Sequence, residues 1–424
     1  YLGVPLYLLL GGRKLKKLAA KKHNLTVSDR SKQHPIKDTL TPPIYAQYGT
    51  STRAPISGNS TEFHPSGEKA YEVLISQIRE AKESIDILTF ILAKDSVGLS
   101  VIAALTEKAK EGVKVRLLLD ALGCFRLRNN VFNEFKKAGG QVERFMPTFP
   151  IQSRWSANLR NHRKIAIFDQ KRAIFGGRNI AFEYMGPTPH ADRWTDFSAL
   201  LKGPVVSNLL EIFTEDWAYA SGKPSDSSLQ DNSRVEDIPK EGNSDIQIVA
   251  SGPDVVGDPL YESIVSMIQE ADKQIWIVTP YYIPDEVLQR TLMIKARAGR
   301  EIKLIVPRRS THPITDFART HYLRELTSAG VQVLLYTPRM LHGKAIIVDQ
   351  TVAMTGSANL DLRSLFVNYE IGTFFYSKPD LENIHTWMED ILKETIPFEE
   401  SVKKNPSFLH NIAEDVSRLL APLL

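Results

Sequence analysis

The chain has 424 residues, of which 42% are hydrophobic and 24% charged. This length fits two domains or two halves of one large α/β body, and the composition is typical of a folded protein. Its 53 basic and 49 acidic residues leave a net charge of +4, which argues against a strongly basic nucleic-acid-binding protein but leaves room for a local basic patch. Cys124 is the only cysteine, which excludes an intramolecular disulfide and a cysteine zinc cluster.

The start of the chain divides into an apolar-basic segment over 1–22 and an irregular extension over 23–60 that is rich in Pro, Ser and Thr. The first segment opens with ten mostly apolar residues, whereas a helix needs about 20 to cross a bilayer. We expect either the last part of a truncated membrane span with its basic flank on the cytoplasmic side, or an interfacial anchor whose cations meet anionic lipid. The alternative is a plain surface segment of a soluble protein.

Two later regions share one order of elements, helix–strand–helix–strand. Helices that alternate with continuous apolar strands indicate α/β units around a buried, largely parallel sheet. The repetition predicts a duplicated α/β fold with two pseudo-symmetric halves. In the first region the elements are a helix marked by Tyr71, Leu74 and Ile78, a strand over 85–92, a helix over 99–110 and a strand over 113–119. In the second they are a helix marked by Tyr261, Ile264 and Ile268, a strand over 274–278, a helix over 286–298 and a strand over 302–306.

The two halves are predicted over 61–220 and 245–424. The linker between them, 221–244, is rich in Ser, Asp, Glu, Pro, Gly and Lys and poor in apolar residues, which is typical of a flexible connection. The second half is predicted to end in a helix over 408–424. The apolar stripe of that helix indicates core packing, with a membrane or partner contact as the alternative. The stripe consists of Leu409, Ile412, Val416, Leu419 and Leu420.

Each half also carries the same short motif, H-x-K-x4-D, followed by a glycine turn that ends in Asn. A single H-x-K is more often part of an ordinary strand, but an extended repeat in register indicates a shared site. Two His, two Lys and two Asn are the groups needed to hold and attack a phosphodiester without a metal. The first copy is His162-Arg163-Lys164, Asp169 and Gly176-Gly177-Arg178-Asn179; the second is His342-Gly343-Lys344, Asp349 and Gly356-Ser357-Ala358-Asn359.

Strand alternation divides each motif between two faces. Residues two apart on a strand share a face, so the His and Lys of each motif point the same way. The Asp falls at odd spacing on the opposite face, which favours a structural role in fixing the following turn. The glycine pairs then let the backbone turn sharply and return Asn179 and Asn359 to the His and Lys. The candidate catalytic set comprises the six motif residues His162, Lys164, Asp169, His342, Lys344 and Asp349.

A nucleophilic His needs an acceptor, usually a carboxylate, to orient its second ring nitrogen. Asp196 lies 34 residues after the first motif His, and Glu370 lies 28 residues after the second. Their matched placement beside strand-like runs favours an orienting role over a surface ion pair, without deciding which carboxylate serves which His. Glu183 and Asp192 are the competing candidates in the first half.

The sequence gives no support for a metal or nucleotide site. A hydrolytic zinc or magnesium site needs His and carboxylates clustered at ligand spacing, and Lys is not a usual ligand. No G-x-x-x-x-G-K-[ST] motif occurs, so nucleotide hydrolysis has no support either. We therefore expect chemistry that uses no metal and no other cofactor.

The two motifs resemble those of the phospholipase D superfamily, whose members carry two H-x-K-x4-D motifs. The resemblance is sharpest to bacterial cardiolipin synthases and covers nearly the whole chain, including its apolar-basic start and its last five residues. It implies a duplicated α/β sandwich with one active site between the halves. The family pattern also has two N-terminal membrane spans. The segments that carry the resemblance are 161–165 (NHRKI), 176–180 (GGRNI), 279–284 (TPYYIP) and 356–364 (GSANLDLRS).

The resemblance implies a two-step phosphatidyl transfer. His162 attacks the phosphorus of one phosphatidylglycerol and forms a phosphohistidine intermediate, while His342 donates a proton to the departing glycerol. His342 then takes a proton from the hydroxyl of a second phosphatidylglycerol, which attacks to give cardiolipin. The residues implied to hold the phosphate oxygens are Lys164, Lys344, Asn179, Asn359 and Ser357.

The implied partners are phosphatidylglycerol and the surface of a bacterial cell membrane, with the catalytic body on the cytoplasmic side and no nucleic acid; the oligomeric state is not indicated. Phospholipase D-type hydrolysis, transfer to another alcohol and nuclease action at the same site are the alternatives. A catalytically silent membrane-binding protein is a further one, opposed by the presence of all six core polar residues. The lack of a strong basic surplus opposes the nuclease.

Overall fold

The computed structural model describes residues 53–146, 159–224 and 238–401. The predicted segment over 1–22, most of the extension over 23–60, the centre of the predicted linker and the predicted helix over 408–424 lie outside the described residues. The first strand begins at Ile56, which is before the start of the first half predicted at residue 61.

The first half alternates helices and strands in the order that its sequence predicts. Helix starts are fixed by polar side chains: Ser66 accepts a hydrogen bond from the backbone N–H of Lys69, and Asp95 accepts from Val97 and Gly98. The elements are β1 (Ile56–His64), α1 (Gly67–Glu80), β2 (Ser84–Thr89), α2 (Ser96–Lys110), β3 (Lys114–Asp120), a 3₁₀ turn (Asn129–Phe132), α3 (Asn133–Lys137), β4 (Gln141–Phe145), β5 (Ile165–Phe168), β6 (Arg172–Gly176), β7 (Ser198–Lys202) and α4 (Val206–Ser221).

The second half repeats this order and adds short elements around the glycine turn and at its end. The predicted series of helix, strand, helix and strand is confirmed in both halves, as α1-β2-α2-β3 and as α5-β9-α6-β11. The elements are β8 (Ser244–Ser251), α5 (Pro259–Gln269), β9 (Gln274–Val278), β10 (Tyr282–Ile283), α6 (Glu286–Arg297), β11 (Glu301–Pro307), α7 (Pro313–Ser328), β12 (Gln332–Tyr336), β13 (Ala345–Val348), β14 (Val352–Gly356), β15 (Leu360–Asp361), α8 (Leu362–Phe366), β16 (Glu370–Phe375), α9 (Lys378–Leu392), β17 (Thr395–Pro397) and α10 (Phe398–Ser401).

One continuous sheet runs through both halves. Its strand order is β17-β12-β11-β9-β13-β14-β16-β8-β1-β7-β6-β5-β2-β3-β4. The halves meet at the antiparallel pair β1–β8, where Ile56 is opposite Ile246, and the order on either side of that pair is the same. Helices cover the sheet, and one apolar cluster spans both halves, from Phe213 on α4 to Trp387 on α9. The fold is therefore a duplicated α/β sandwich with pseudo-symmetric halves.

The expectation of a largely parallel sheet is wrong. Parallel pairing in this sheet joins only β2–β3–β4 and β9–β11–β12 within the described residues, and the other neighbours are antiparallel. The reason is the short turn after each motif strand. Asp169 and Gln170 adopt φ values of 51° and 57°, and Asp349 and Gln350 adopt 51° and 54°. Such a turn returns the chain antiparallel to itself, whereas a parallel neighbour needs a long crossover.

The fold brings the starts of the two motif strands to the junction between the halves. Thr195 accepts a hydrogen bond from the backbone N–H of His342 at 2.7 Å, and Tyr369 accepts from that of His162 at 2.9 Å. Each of these bonds crosses from one half to the other. The two His residues are therefore held by backbone that belongs to the opposite half.

Candidate active site

His162 lies just before β5, with its ring packed on Phe90 and a carboxylate behind it. The ring centroids of His162 and Phe90 are 4.1 Å apart. Nδ1 of the imidazole is 3.2 Å from Oε1 of Glu370, and the His side chain is 22% exposed. With Nδ1 directed at a carboxylate, Nε2 is the nitrogen available for a reaction.

Glu370 is fully buried and is held in place by Ser357. The hydroxyl of Ser357 donates to Oε2 of Glu370 at 2.5 Å and accepts from the backbone N–H of Ile371 at 3.0 Å. Burial alone would raise the pKa of Glu370, but His162, Lys164 and Ser357 lower it, so it is an anion at neutral pH. Ser357 was predicted to bind phosphate; its hydroxyl is instead engaged by Glu370, and it positions that carboxylate.

His342 occupies the matching place before β13 but is more enclosed. Its Nδ1 is 2.6 Å from Oδ2 of Asp196, which is itself buried and whose Oδ1 accepts from the backbone N–H of Phe197. The ring lies between Tyr184 and Trp194, with centroid separations of 5.0 and 5.5 Å. His342 is therefore oriented by a short charge-assisted contact inside an aromatic enclosure.

The carboxylate of each half serves the His of the other half. Glu370 lies beside His162 and Asp196 lies beside His342, an assignment that the sequence left open. Asp192 is exposed, and neither it nor Glu183 contacts a catalytic imidazole among the described contacts. Neither half can therefore form a complete site alone.

The two motif lysines belong to one charged cluster. Lys344 Nζ is 2.9 Å from Nδ1 of His342. Burial lowers the pKa of Lys344 to about 7, with Lys164 adding to the effect against the opposing pull of Asp196. Burial also lowers the pKa of Lys164. Because Lys164 of the first motif lowers the pKa of both His342 and Lys344 of the second, both motifs line a single site.

The same crowding of cations acts on His342. Burial and Lys344 lower its pKa to about 4, against the opposing effect of Asp196. Burial would raise the pKa of Asp196, but His342, Lys344 and Arg178 together lower it to about 2. At neutral pH the site thus holds a neutral His342 next to an ionised Asp196. A site of this kind is prepared to receive an anion.

The two motif Asp residues face away from the site, as strand alternation predicts. Asp169 accepts hydrogen bonds from the backbone N–H groups of residues 82–84, and Asp349 accepts from those of residues 272–274. Each Asp therefore ties its own strand to the start of the neighbouring strand, β2 or β9. They were counted in the candidate catalytic set; these contacts favour a structural role.

The two motif Asn residues each contact the side chain five positions later, but only the carbonyl oxygen of Asn179 has a hydrogen-bond donor. Asn179 contacts the hydroxyl of Tyr184, and its carbonyl accepts from the backbone N–H of Ile91 at 3.1 Å. The amide of Asn359 donates to the hydroxyl of Ser364 at 3.2 Å. Each Asn is thus held by the residue five positions later, which fixes the direction of its amide.

Several functional neighbours were missed by reasoning from the sequence. Phe90 lies one residue after β2 and gave no signal beyond an apolar strand. Arg163, inside the first motif, is completely buried against Asp216 at 2.9 Å and donates to the backbone carbonyl of Glu370. A polar residue between His and Lys points away from them on a strand, so only the packing shows that Arg163 braces the opposite half.

A second group of buried charges surrounds His162. Asp120 accepts from the backbone N–H of Asn161 at 2.9 Å and lies 3.9 Å from Arg160. Burial raises the pKa of Asp120 and of Asp361, and lowers that of Arg363.

In the described residues no group of three or more His, Cys, Asp and Glu side chains is arranged to hold a metal ion. Likewise, no helix there is both long enough and apolar enough to span a bilayer.

Comparison with known proteins gives one consistent family. The model of the cardiolipin synthase phospholipase D-like domain matches residues 74–217 and 264–392. The chain is 35% identical over 370 residues to the major cardiolipin synthase ClsA of Bacillus subtilis (strain 168), covering 86% of this chain and 76% of that protein. It is 34% identical over 373 residues to a cardiolipin synthase of Geobacillus kaustophilus (strain HTA426), covering 87% and 74%.

Solved structures support the fold. The phosphatidylserine synthase of Haemophilus influenzae Rd KW20 aligns with a TM-score of 0.67 at 15% identity, covering 91% of this chain and all of that one. The polyphosphate kinase of Porphyromonas gingivalis aligns with a TM-score of 0.55 at 13% identity, covering 84% and 52%. At these identities the likeness is one of fold alone.

Proposed function

The chain belongs to the phospholipase D-like cardiolipin synthase family, a family of phosphatidyltransferases, and from this premise we propose that it converts two molecules of phosphatidylglycerol into cardiolipin and glycerol. The observation that supports the proposal is the single cluster in which two His–carboxylate pairs and two lysines act on one another electrostatically. Two His residues allow one to attack phosphorus while the other moves the proton.

In the first step Nε2 of His162 attacks the phosphorus of one phosphatidylglycerol. The bond from phosphorus to the glycerol headgroup oxygen breaks, and that oxygen takes a proton from His342. Glu370, 3.2 Å from Nδ1, stabilises the positive charge that develops on the His162 ring. The product is a phosphatidyl group bound through phosphorus to His162, together with free glycerol.

In the second step the terminal hydroxyl of another phosphatidylglycerol attacks the same phosphorus. His342 takes the hydroxyl proton, the phosphorus–nitrogen bond breaks, and His162 is released as a neutral ring. His342 ends protonated, ready to serve as acid in the next cycle. Asp196, 2.6 Å from Nδ1 of His342, holds this ring in one tautomer through both steps.

His342 requires a proton for the first step, although its pKa is about 4. The phosphodiester of the substrate carries a negative charge and binds beside Lys164 and Lys344. This charge offsets the repulsion from the two lysines that lowers the pKa of His342. We therefore expect substrate binding to be accompanied by proton uptake. The two lysines and the amides of Asn179 and Asn359 then stabilise the charge on the phosphate oxygens as the transition state forms.

The same proposal puts the catalytic body at the cytoplasmic surface of a bacterial membrane. Both substrates are bilayer lipids, so the site must meet a membrane surface. The basic residues that follow the apolar start of the chain support the cytoplasmic side. The residues with named roles are those of the two His/Lys/Asn sets, with Asp196 and Glu370 as the orienting carboxylates.

Mass spectrometry of the products separates the proposal from its alternatives. The purified chain is incubated with phosphatidylglycerol in detergent micelles, and cardiolipin and glycerol are expected in equal amounts. Phosphatidic acid as the main product would replace the synthase by a hydrolase. Absence of any phospholipid product, with cleavage of single-stranded DNA, would make it a nuclease. The His162→Ala variant serves as the control for contaminating activity.

A further inference from the structure

In each half one end of the sheet carries the motif residues; these two ends, joined by the backbone hydrogen bonds from His162 to Tyr369 and from His342 to Thr195, are here called the catalytic edge. It is the edge where β2 and β9 end and where the motif strands begin, because Leu88 is opposite Ile165 and Val278 is opposite Ala345. Strands β3 and β11 run parallel to β2 and β9, so the loops that follow them also leave from this edge.

Large apolar side chains are exposed at the catalytic edge. Phe125 is 65% exposed and Leu122 is 44% exposed in the loop after β3. Ile314 and Phe317, in the first turn of α7 after β11, are 50% and 40% exposed. For comparison, Ile294 is 63% exposed near the end of α6, which leads to the start of β11 at the opposite edge. Large apolar side chains exposed on both segments that follow these strands favour an interaction surface at the catalytic edge.

The two loops occupy equivalent positions in the two halves and share one composition. The loop over 121–128 carries exposed Arg126 and Arg128 and contains no acidic residue. The second of these segments, 308–317, comprises the residues after β11 and the start of α7 and is also called a loop here. It carries exposed Arg308 and Arg309. Its one acidic residue, Asp316, pairs with the neighbouring Arg319 at 3.0 Å. Among the described residues no ion pair involves any of the four exposed guanidinium groups, so their charge is available to an external anion.

The first loop is fastened to the ring of His162. Cys124 contacts the carbonyl of Phe90 at 3.3 Å, and Phe90 packs on His162. Asp120 accepts from the backbone N–H groups of the first loop and also from that of Asn161. The apolar-cationic loop after β3 is therefore built onto the same framework as the reacting imidazole.

The second loop reaches the site through Tyr281. Its hydroxyl is hydrogen-bonded to that of Thr311 at 2.7 Å, and its ring packs on His312. The carbonyl of Tyr281 accepts from the hydroxyl of Thr279 at 2.9 Å, and that hydroxyl accepts from the backbone N–H of Leu360 at 3.3 Å, directly after Asn359. The two loops are thus joined to the site from opposite halves.

We infer that the catalytic edge docks onto the surface of a bilayer rich in anionic phospholipid, with the loops over 121–128 and 308–317 entering the headgroup region. Apolar tips partition into the interface, and adjacent arginines pair with lipid phosphates. A bilayer fits better than a folded protein partner because docking there presents the site to a substrate that lies in the same surface. The inference rests on the proposed function for the identity of that substrate.

A matched pair of double variants tests the docking surface. Phe317→Ser with Arg309→Ser removes one apolar and one cationic contact at the catalytic edge, and Ile294→Ser with Arg297→Ser removes the same two residue types at the opposite edge. We expect the first to lower binding to phosphatidylglycerol vesicles about 10- to 100-fold and the second to leave it unchanged. Equal binding by both would overturn the inference. Turnover in detergent micelles should stay within about twofold for both.

A direct readout of insertion guards against binding by other parts of the chain. Burial raises the pKa of Cys124 to about 12, so a thiol-reactive bimane dye labels an introduced cysteine selectively. The dye on Phe317→Cys should shift to the blue with phosphatidylglycerol vesicles, and the dye on Ile294→Cys should not. No shift at either position would overturn the inference. A shift without vesicles that grows with protein concentration would assign the face to a second copy of the chain instead.

The two proposals fail in distinguishable ways. If the wild type makes no cardiolipin in detergent, where docking is not needed, the proposed function fails. If the wild type is active in detergent but the dye on Phe317→Cys does not respond to vesicles, only the docking surface fails. Phosphatidylcholine vesicles are the control for lipid charge. Equal binding to them would show that the arginines do not contribute to docking.

Discussion

The two halves carry the same motif in unlike surroundings. His162 is 22% exposed, packs on one aromatic ring and lies 3.2 Å from its carboxylate. His342 is 11% exposed, lies between two aromatic rings and is 2.6 Å from its carboxylate. The open ring suits attack on a bulky lipid phosphorus, and the enclosed ring suits proton transfer in a fixed direction. Duplication thus supplied two equal sets of groups, and packing made them unequal.

The carboxylates differ in length, and the glycine turns differ to match. Glu370 is one methylene longer than Asp196 and is braced by the hydroxyl of Ser357. The equivalent position in the first half is Gly177, where a Cβ would lie 2.3 Å from Oδ1 of Asp196. Asp196 is short and leaves no room for a side chain at Gly177. Glu370 is longer and is held by the hydroxyl of Ser357. Both arrangements orient a His ring.

Removing either imidazole should have the largest effect and tests the division of roles. His162→Ala and His342→Ala should each lower turnover about 10⁴-fold or more, as expected for members of one catalytic unit. Acid quench with labelled phosphatidylglycerol in detergent should find acid-labile label on the wild type, none on His162→Ala, and slow labelling without transfer on His342→Ala. Full labelling of His162→Ala with none on His342→Ala would exchange the roles.

Isosteric changes of the carboxylates sharpen the comparison. Asp196→Asn should lower turnover about 10²- to 10⁴-fold, and Glu370→Gln about 10- to 10³-fold, because the shorter, more buried contact fixes its ring more strongly. Because the pairing crosses between the halves, Glu370→Gln should slow formation of the labelled intermediate and Asp196→Asn should slow its transfer. If Glu370→Gln slowed transfer and Asp196→Asn slowed formation instead, each carboxylate would act on the His of its own half. That result would contradict the crossed pairing.

Gly177 and Ser357 occupy equivalent positions in the two glycine turns. Placing the residue of one half in the other should lower turnover more for Gly177→Ser than for Ser357→Gly. Gly177→Ser should lower turnover about 10²-fold, since the added side chain displaces Asp196. Ser357→Gly should lower it only about tenfold, the value of one hydrogen bond to a charged group. Steady-state rates in detergent, with circular dichroism to verify folding, check both. A harmless Gly177→Ser would show that the space beside Asp196 adapts.

The smallest effect is on stability and concerns the motif lysines. In the folded state the pKa of Lys344 is about 7, below its ordinary 10.5, so the unfolded chain binds this proton more tightly and stability falls as the pH drops from about 10.5 towards 7. Lys344→Met should therefore be inactive yet raise the melting temperature by about 2–5 °C at pH 7.

The advantage of Lys344→Met should shrink at pH 9.5, where less of the penalty remains. Thermal melts at the two pH values measure the change, and Lys164→Met is the matched control in the other half. A lower melting temperature for Lys344→Met at pH 7 would mean that its contacts with Asp196 and His342 outweigh its desolvation.

Much of the site could be predicted because its chemistry lies in short local patterns. The placement of His162 and Lys164 on one side of the chain just before β5, and of Asp169 on the other side just after it, follows from the period of an extended chain. The helices and strands that precede each motif follow from apolar periodicity. The prediction of a largely parallel sheet was wrong. The Asp-Gln turns adopt positive φ without a glycine, so no local pattern indicated a tight antiparallel turn.

Other features depend on residues far apart in the chain. Ser357 was expected on phosphate because its neighbours in the motif face phosphate, and only the approach of Glu370 gives its hydroxyl a different partner. Phe90 and Arg163 have no distinguishing local pattern and gain their roles by packing against His162 and against the opposite half.

The sequence by itself determined that each half carries an equivalent set of His, Lys and Asn, because local spacing fixes which side chains share one side of an extended chain. Only the tertiary structure decided that Glu370 serves His162 and Asp196 serves His342, and that one imidazole is open while the other is enclosed. The physical reason is that orientation, burial and the pKa of Lys344 depend on contacts across the junction of the halves. Those contacts arise only when the sheet has closed on both motifs.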